Sequence, residues 1–127
     1  MKIRIDKADR VFSRFIREKA DWKCERCFKQ YQPGDQGLHC SHFWGRGKES
    51  TRFDQENASA LCFFCHLFLG SNPEEHRTWK LKQLGEERYK LLMVRASTYQ
   101  KKDRKMAAIV CQAMLDDLLL RKAKNAV

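Results

Sequence analysis

Two Cys-x-x-Cys pairs, Cys24-Glu25-Arg26-Cys27 and Cys62-Phe63-Phe64-Cys65, constrain this chain more than any other feature in it. Two such knuckles present four thiolates at the bite a tetrahedral zinc ion takes. The 34 residues between Cys27 and Cys62 exceed the loop of a short zinc ribbon, so they must hold structure of their own, with room for a hairpin. Thioredoxin-like redox chemistry is the alternative for paired cysteines, and it fits poorly because no βαβ pattern flanks either pair. The first residues, MKIRIDKADRVFSRFIREK, are charged throughout and lack the apolar stretch of a secretory leader. No apolar run approaches the roughly 20 residues of a membrane span. An intracellular location follows as an expectation, and there cysteines point to metal rather than to disulfides. Of the other two, Cys111 reads as a small core residue of the last helix, and Cys40 as an inward strand residue that is not a ligand.

A chain of 127 residues is about one domain, and one this small often needs a staple. Twenty-six Lys and Arg against 16 Asp and Glu leave a net charge of +10, which favours a polyanionic partner, nucleic acid before membrane. The excess is uneven. Residues 1–31 carry +5, residues 32–70 carry −1 and residues 71–127 carry +6. A quiet middle between basic flanks suits a metal site held over DNA.

Residues 8–20 read as an amphipathic helix with Val11, Phe12, Phe15 and Ile16 on one face and Arg10, Arg14 and Arg17 on the other. Leu38 to Trp44 reads as a strand, Gly45 to Lys48 as a flexible loop, and Ser50 to Asn57 as a polar stretch. A helix is expected to begin near Cys62 and to run to about Leu69. Asn72, Pro73 and Glu75 look like an N-cap, a first helical residue and a capping-box acid, opening a helix that stops at Gly85. Two more helices are expected over about Glu86 to Thr98 and Asp103 to Lys124.

The chain has only four histidines, His39, His42, His66 and His76, and three lie inside or beside the cysteine frame. His42 precedes Asn57 by 15 residues, Asn57 precedes Cys62 by five, and His66 directly follows the second knuckle. This order resembles the HNH (His-Me finger) nucleases. The segments His39-Cys40-Ser41-His42-Phe43, Arg52-Phe53-Asp54 and Asn57-Ala58-Ser59-Ala60-Leu61-Cys62 are similar to the lambdoid phage NinG (Rap) recombination nucleases. The likeness covers about residues 22–77.

The resemblance implies an α+β chain: a small zinc-stapled ββα-metal (HNH, treble-clef-like) core over 22–77, an N-terminal helix, and a helical extension over 78–127, all in one domain. It implies DNA cleavage, with His42 as general base, Asn57 holding the loop and orienting His42, and His66 as ligand of one catalytic divalent ion (Mg²⁺, Mn²⁺ or Ni²⁺). Ser41 stands where many members carry a second ligand and is a poor one; His39 takes the place of an acid found three residues before the base in the NinG-like branch. Two imidazoles would favour Mn²⁺, Ni²⁺, Co²⁺ or Zn²⁺ over Mg²⁺. Structural zinc falls to Cys24, Cys27, Cys62 and Cys65. Arg46, Lys48, Arg52, Arg14 and Arg17 are the expected DNA contacts. Trp44, beside His42, is placed to stack on an unpaired base. The likeness also implies branched recombination intermediates as substrate, a phage or prophage source and the cytoplasm of a bacterial host. A homodimer through the C-terminal helices is a further expectation. Two other readings stay open: a non-catalytic zinc-finger DNA-binding protein, and an adaptor subunit of a phage recombination or packaging assembly.

Overall fold

The computed structural model describes residues 3–126. Those residues form six helices and one two-stranded antiparallel sheet, an α+β arrangement. Helix α1 spans Lys7–Lys19 and starts at a reciprocal cap: the Asp9 N–H donates to the Asp6 carboxylate, and the Asp6 N–H donates to that of Asp9. Ala8, Phe12, Phe15 and Ile16 on its inner face are buried. The helix ends at Ala20, where Asp21 and Trp22 take positive φ of 54° and 59° and turn the chain into the first knuckle. Left-handed backbone at two successive non-glycine residues is unfavourable. The turn delivers the Trp22 ring into the core, where it is 5% exposed.

Strand β1, Leu38–His42, pairs antiparallel with β2, Ala58–Cys62, so that Leu38 faces Cys62 and His42 faces Ala58. A two-stranded ribbon is marginal by itself. Here both faces are covered. Cys40 and His42 look toward α1, where the His42 ring packs on Phe12. His39 and Ser59 look the other way, toward α3 (Phe63–Ser71) and α4 (Pro73–Leu84). Every residue of β2 is consequently buried. Its outer edge is closed by Glu25 of the first knuckle, whose N–H donates to the Ala60 carbonyl at 2.8 Å.

Helix α5 covers Glu86–Ser97 after a sharp break at Gly85, whose φ of 84° suits glycine. Helix α6, Arg104–Asn125, is capped by Asp103 and returns across α1, burying Cys111 and Leu115. At its far end Lys122 bonds the carbonyl and carboxylate of Glu18. The opposite face of α6, with Met106, Ile109, Val110 and Leu120, is exposed. No described helix is long and apolar enough to cross a membrane.

Three local expectations change. The strand stops at His42: the Phe43 N–H still reaches the Asn57 carbonyl in register, but the Asn57 N–H turns to the Asp54 carbonyl and the Trp44 N–H to the Asn57 side chain, so the ladder goes no further. The polar stretch contains a four-residue helix, α2 (Glu49–Arg52), too short to show a periodicity. Asn72 does not cap α4 with its side chain; its amide reaches back to the Phe68 carbonyl at 2.6 Å, so no capping box forms with Glu75.

Helix α4 is pinned to the sheet by Lys80, which is 1% exposed. Its ammonium donates to the Glu56 carbonyl (3.1 Å), Ser59 Oγ (2.9 Å) and Gln83 Oε1 (2.8 Å), and burial holds its pKa near 8. Removing the cation strands these acceptors, so Lys80→Ala should lower the unfolding free energy by about 2–3 kcal/mol in urea denaturation.

Candidate metal centre and the adjoining histidines

The two knuckles meet because β2 runs directly into α3: Cys62 is both the last strand residue and the N-cap of that helix. Its Sγ accepts the Cys65 N–H at 3.4 Å, and Cys24 Sγ accepts the Cys27 N–H at 3.5 Å. The four sulfur atoms lie within 4.8 Å of one another, and Cys27 Sγ stands 3.7 Å from Cys62 Sγ. Sulfurs at about 2.3 Å from one tetrahedral ion would be about 3.8 Å apart, so the set fits zinc. All four are free thiols. Burial raises the Cys24 pKa, but backbone N–H donors outweigh it and leave that thiol near 7, whereas burial pushes the Cys65 thiol up to about 12; a bound cation would be needed to ionise all four. Arg26 donates to Cys65 Sγ at 3.4 Å while its guanidinium lies over the Phe68 ring, adding positive charge beside the thiolates. Elemental analysis should return one zinc per chain, and its removal by a strong chelator should unfold the protein, followed by circular dichroism.

A second polar constellation sits on the neighbouring face. His39 projects from β1 and His66 from the first turns of α3, and their Nδ1 atoms approach to 3.0 Å. Two imidazole nitrogens about 2.1 Å from one ion, at right angles, would be about 3.0 Å apart. The pair therefore fits a divalent cation as well as it fits a simple hydrogen bond. Burial, His39 and Arg46 all hold the His66 pKa below 6.5, keeping a lone pair available. Among the described residues, the four cysteines alone make a group of three or more His, Cys, Asp or Glu side chains at metal-binding distance, so any ion on the two histidines must complete its shell from solvent or ligand.

His42 stands at the end of the same strand but faces the opposite side, and no hydrogen bond joins it to the pair. Its Nε2–H donates to the Arg52 carbonyl at 2.9 Å, which leaves Nδ1 as the unprotonated nitrogen. Nδ1 has no partner. Burial, and then the charge of Arg46, push the His42 pKa down to about 4. Asn57, fully buried, does hold the loop: Oδ1 accepts the Trp44 N–H at 2.8 Å, and Nδ2 donates to the carbonyls of Trp44 (2.9 Å) and Thr51 (3.0 Å). It does not touch His42. The orienting bond comes instead from the Arg52 backbone.

The basic residues divide. Arg14, Arg17 and Arg46 line one groove of about 660 Å³ together with His39 and Trp22. Lys48 lies apart, exposed, with its ammonium over the Trp44 ring and 3.4 Å from the Ala96 carbonyl. Arg52 is no surface contact. It is 2% exposed and grips Asp9 through Nε (2.9 Å) and Nη2 (2.7 Å). Nor is Trp44 free for stacking, since it is half-buried against Phe43 and Lys48. His76 packs its ring edge-on to Phe43, and burial and Lys80 push its pKa to about 4. Sequence reasoning missed Asp9. An acid three residues before Phe12, on the buried face of an amphipathic helix, was the available signal.

No protein-family model, no curated protein and no solved structure matches the chain. The chemistry of the site must carry the functional reading alone.

The pKa values of His42 and His76 near 4, below the ordinary 6.5, mean that the fold favours the neutral rings. Stability from this source is complete above about pH 6.5 and is lost as pH falls toward 4, because the unfolded chain then binds more protons. The Tm of the zinc-loaded protein should decline over this window, and the decline should be shallower in His76→Gln.

Proposed function

We propose that this chain is a metal-dependent DNA endonuclease of the HNH (His-Me finger) type. The observation that carries the reading is the convergence of His39 and His66 at 3.0 Å across a hairpin–helix junction that four cysteines tie together. Three features support it. His42, at the end of the first strand, is held in the tautomer that leaves Nδ1 unprotonated. Asn57 clamps the loop between the strands. Arg14, Arg17 and Arg46 line a groove that includes His39, as a phosphate backbone requires.

In this reading the groove arginines position a phosphodiester over the histidine pair. His39 and His66 would hold one divalent ion, which supplies Lewis-acid stabilisation of the charge that develops on the phosphate and on the leaving oxygen. His42 Nδ1 takes a proton from the attacking water while Nε2–H stays on the Arg52 carbonyl, so the ring becomes a cation oriented by that bond. Nδ1 is covered and the ring packs on Phe12 of α1, on the face of the strand opposite the histidine pair, so this step requires a local opening that brings water from the metal side to Nδ1. Two nitrogen donors favour Mn²⁺ or Ni²⁺ over Mg²⁺.

The alternative is a zinc-stapled DNA-binding module without catalysis, and the observation in its favour is the burial of His42 Nδ1. Supercoiled plasmid and a four-way junction, each with Mg²⁺, Mn²⁺, Ni²⁺ or EDTA, separate the two. The nuclease reading expects metal-dependent cutting that falls about 10²- to 10⁴-fold in His42→Ala while DNA binding persists. Binding without cutting under every metal would leave the module.

A further inference from the structure

A buried ion-pair cluster lies beneath the loop that carries the His42 acceptor, and the proposed chemistry does not use it directly. At its centre is Asp9, whose side chain is 1% exposed. It receives both arms of the Arg52 guanidinium and the Asp6 backbone N–H, and it pairs with Arg46 Nε at 3.6 Å. Arg52 is closed in from the other side by the Arg4 carbonyl (2.8 Å) and by Glu49 (3.6 Å). Sequestering several charges from water is costly unless they are paired in good geometry, and here Arg52 meets Asp9 through two hydrogen bonds.

What the cluster fixes is a backbone position. The carbonyl that accepts the His42 Nε2–H belongs to Arg52, the last residue of α2. A four-residue helix without a side-chain cap has almost no rigidity of its own. It is held by Asn57 on the Thr51 carbonyl, by Asp9 and the Arg4 carbonyl on the Arg52 side chain, and by Arg104, which bonds Glu49 at 2.9 Å; of these, Asp9 makes the two-armed contact to the residue that carries the acceptor. The same carboxylate pairs, without a hydrogen bond, with Arg46, which reaches the groove beside His39.

We infer that Asp9 is a positioning residue: through Arg52 it sets the tautomer and orientation of His42, and through Arg46 it aligns the groove with that ring. The functional meaning rests on the nuclease reading; the tautomer does not. Two-bond ¹H–¹⁵N correlation spectra of the full zinc-loaded chain report which His42 nitrogen carries the proton. Wild type should show the Nε2–H form alone. Asp9→Asn should show a mixture of tautomers, with kcat for plasmid cleavage down about 10- to 100-fold and KM changed by less than about threefold. Lys122→Ala, which loosens α6 from α1 at their far end, should leave both readouts unchanged.

If Asp9→Asn does not fold, Arg52→Lys keeps a cation opposite Asp9 but loses the two-armed grip, and it should show the same mixture. Folded variants with an unaltered tautomer overturn the inference. Failure of both variants to fold would also overturn it, because the pair would then be scaffold only. A wild type that cuts no DNA defeats the nuclease reading, while the tautomer comparison still decides the role of Asp9.

Discussion

The cross-link between two distant pieces of chain, the turn after α1 and the β2–α3 junction, is the constraint on which the rest of the molecule depends. A two-stranded ribbon is marginal by itself, and a chain of this size has only a small core to hold it. Four sulfurs drawn to one point fix where β2 ends, and therefore where α3 starts and which way His66 faces. They also bring Glu25 against the open edge of β2, completing backbone pairing that the second strand could not supply by itself. The four-cysteine cluster and the end of the sheet are thus one construction.

The alternation of a strand explains how the histidines are distributed. Residues three apart on a strand fall on opposite faces, so His39 meets α3 while His42 meets α1. Two environments follow from one segment. The first is a partly open pair of nitrogens beside an arginine-lined groove, and the second is an enclosed ring with a fixed tautomer. Arg46 depresses the basicity of His42 and His66 alike, which ties the two environments electrically although no hydrogen bond does.

Much of this was legible from residue order. The cysteine pairs, the strand before His42, the helix after Cys62 and the glycine stop at Gly85 all rest on local chemistry with a short reach. The pairing of His39 with His66 was expected only from the resemblance, which put His39 in the place of an acid three residues before His42; the structure brings the two rings to 3.0 Å. What could not be read depends on partners far along the chain. Arg52 looks like any loop arginine until α1 delivers Asp9 to it, 43 residues away in sequence. Asn57 was readable as a loop clamp but not in its partners, since backbone carbonyls leave no mark in composition. Asn72 fails as a cap because the preceding helix offers its amide a nearer acceptor in Phe68.

The packing of α6 across α1 has a consequence for how the molecule is made. Glu18 and Lys122, which meet at the end of that interface, are 104 residues apart in sequence. During vectorial synthesis the cysteine frame can close while the surface of α1 destined for α6 is still bare, because the covering helix has not left the ribosome. The knuckles would therefore mature first, and the final helix would act as a late closing strap. Such long-range closure is slow compared with helix formation, and until it happens the nascent chain presents an apolar face that chaperones recognise.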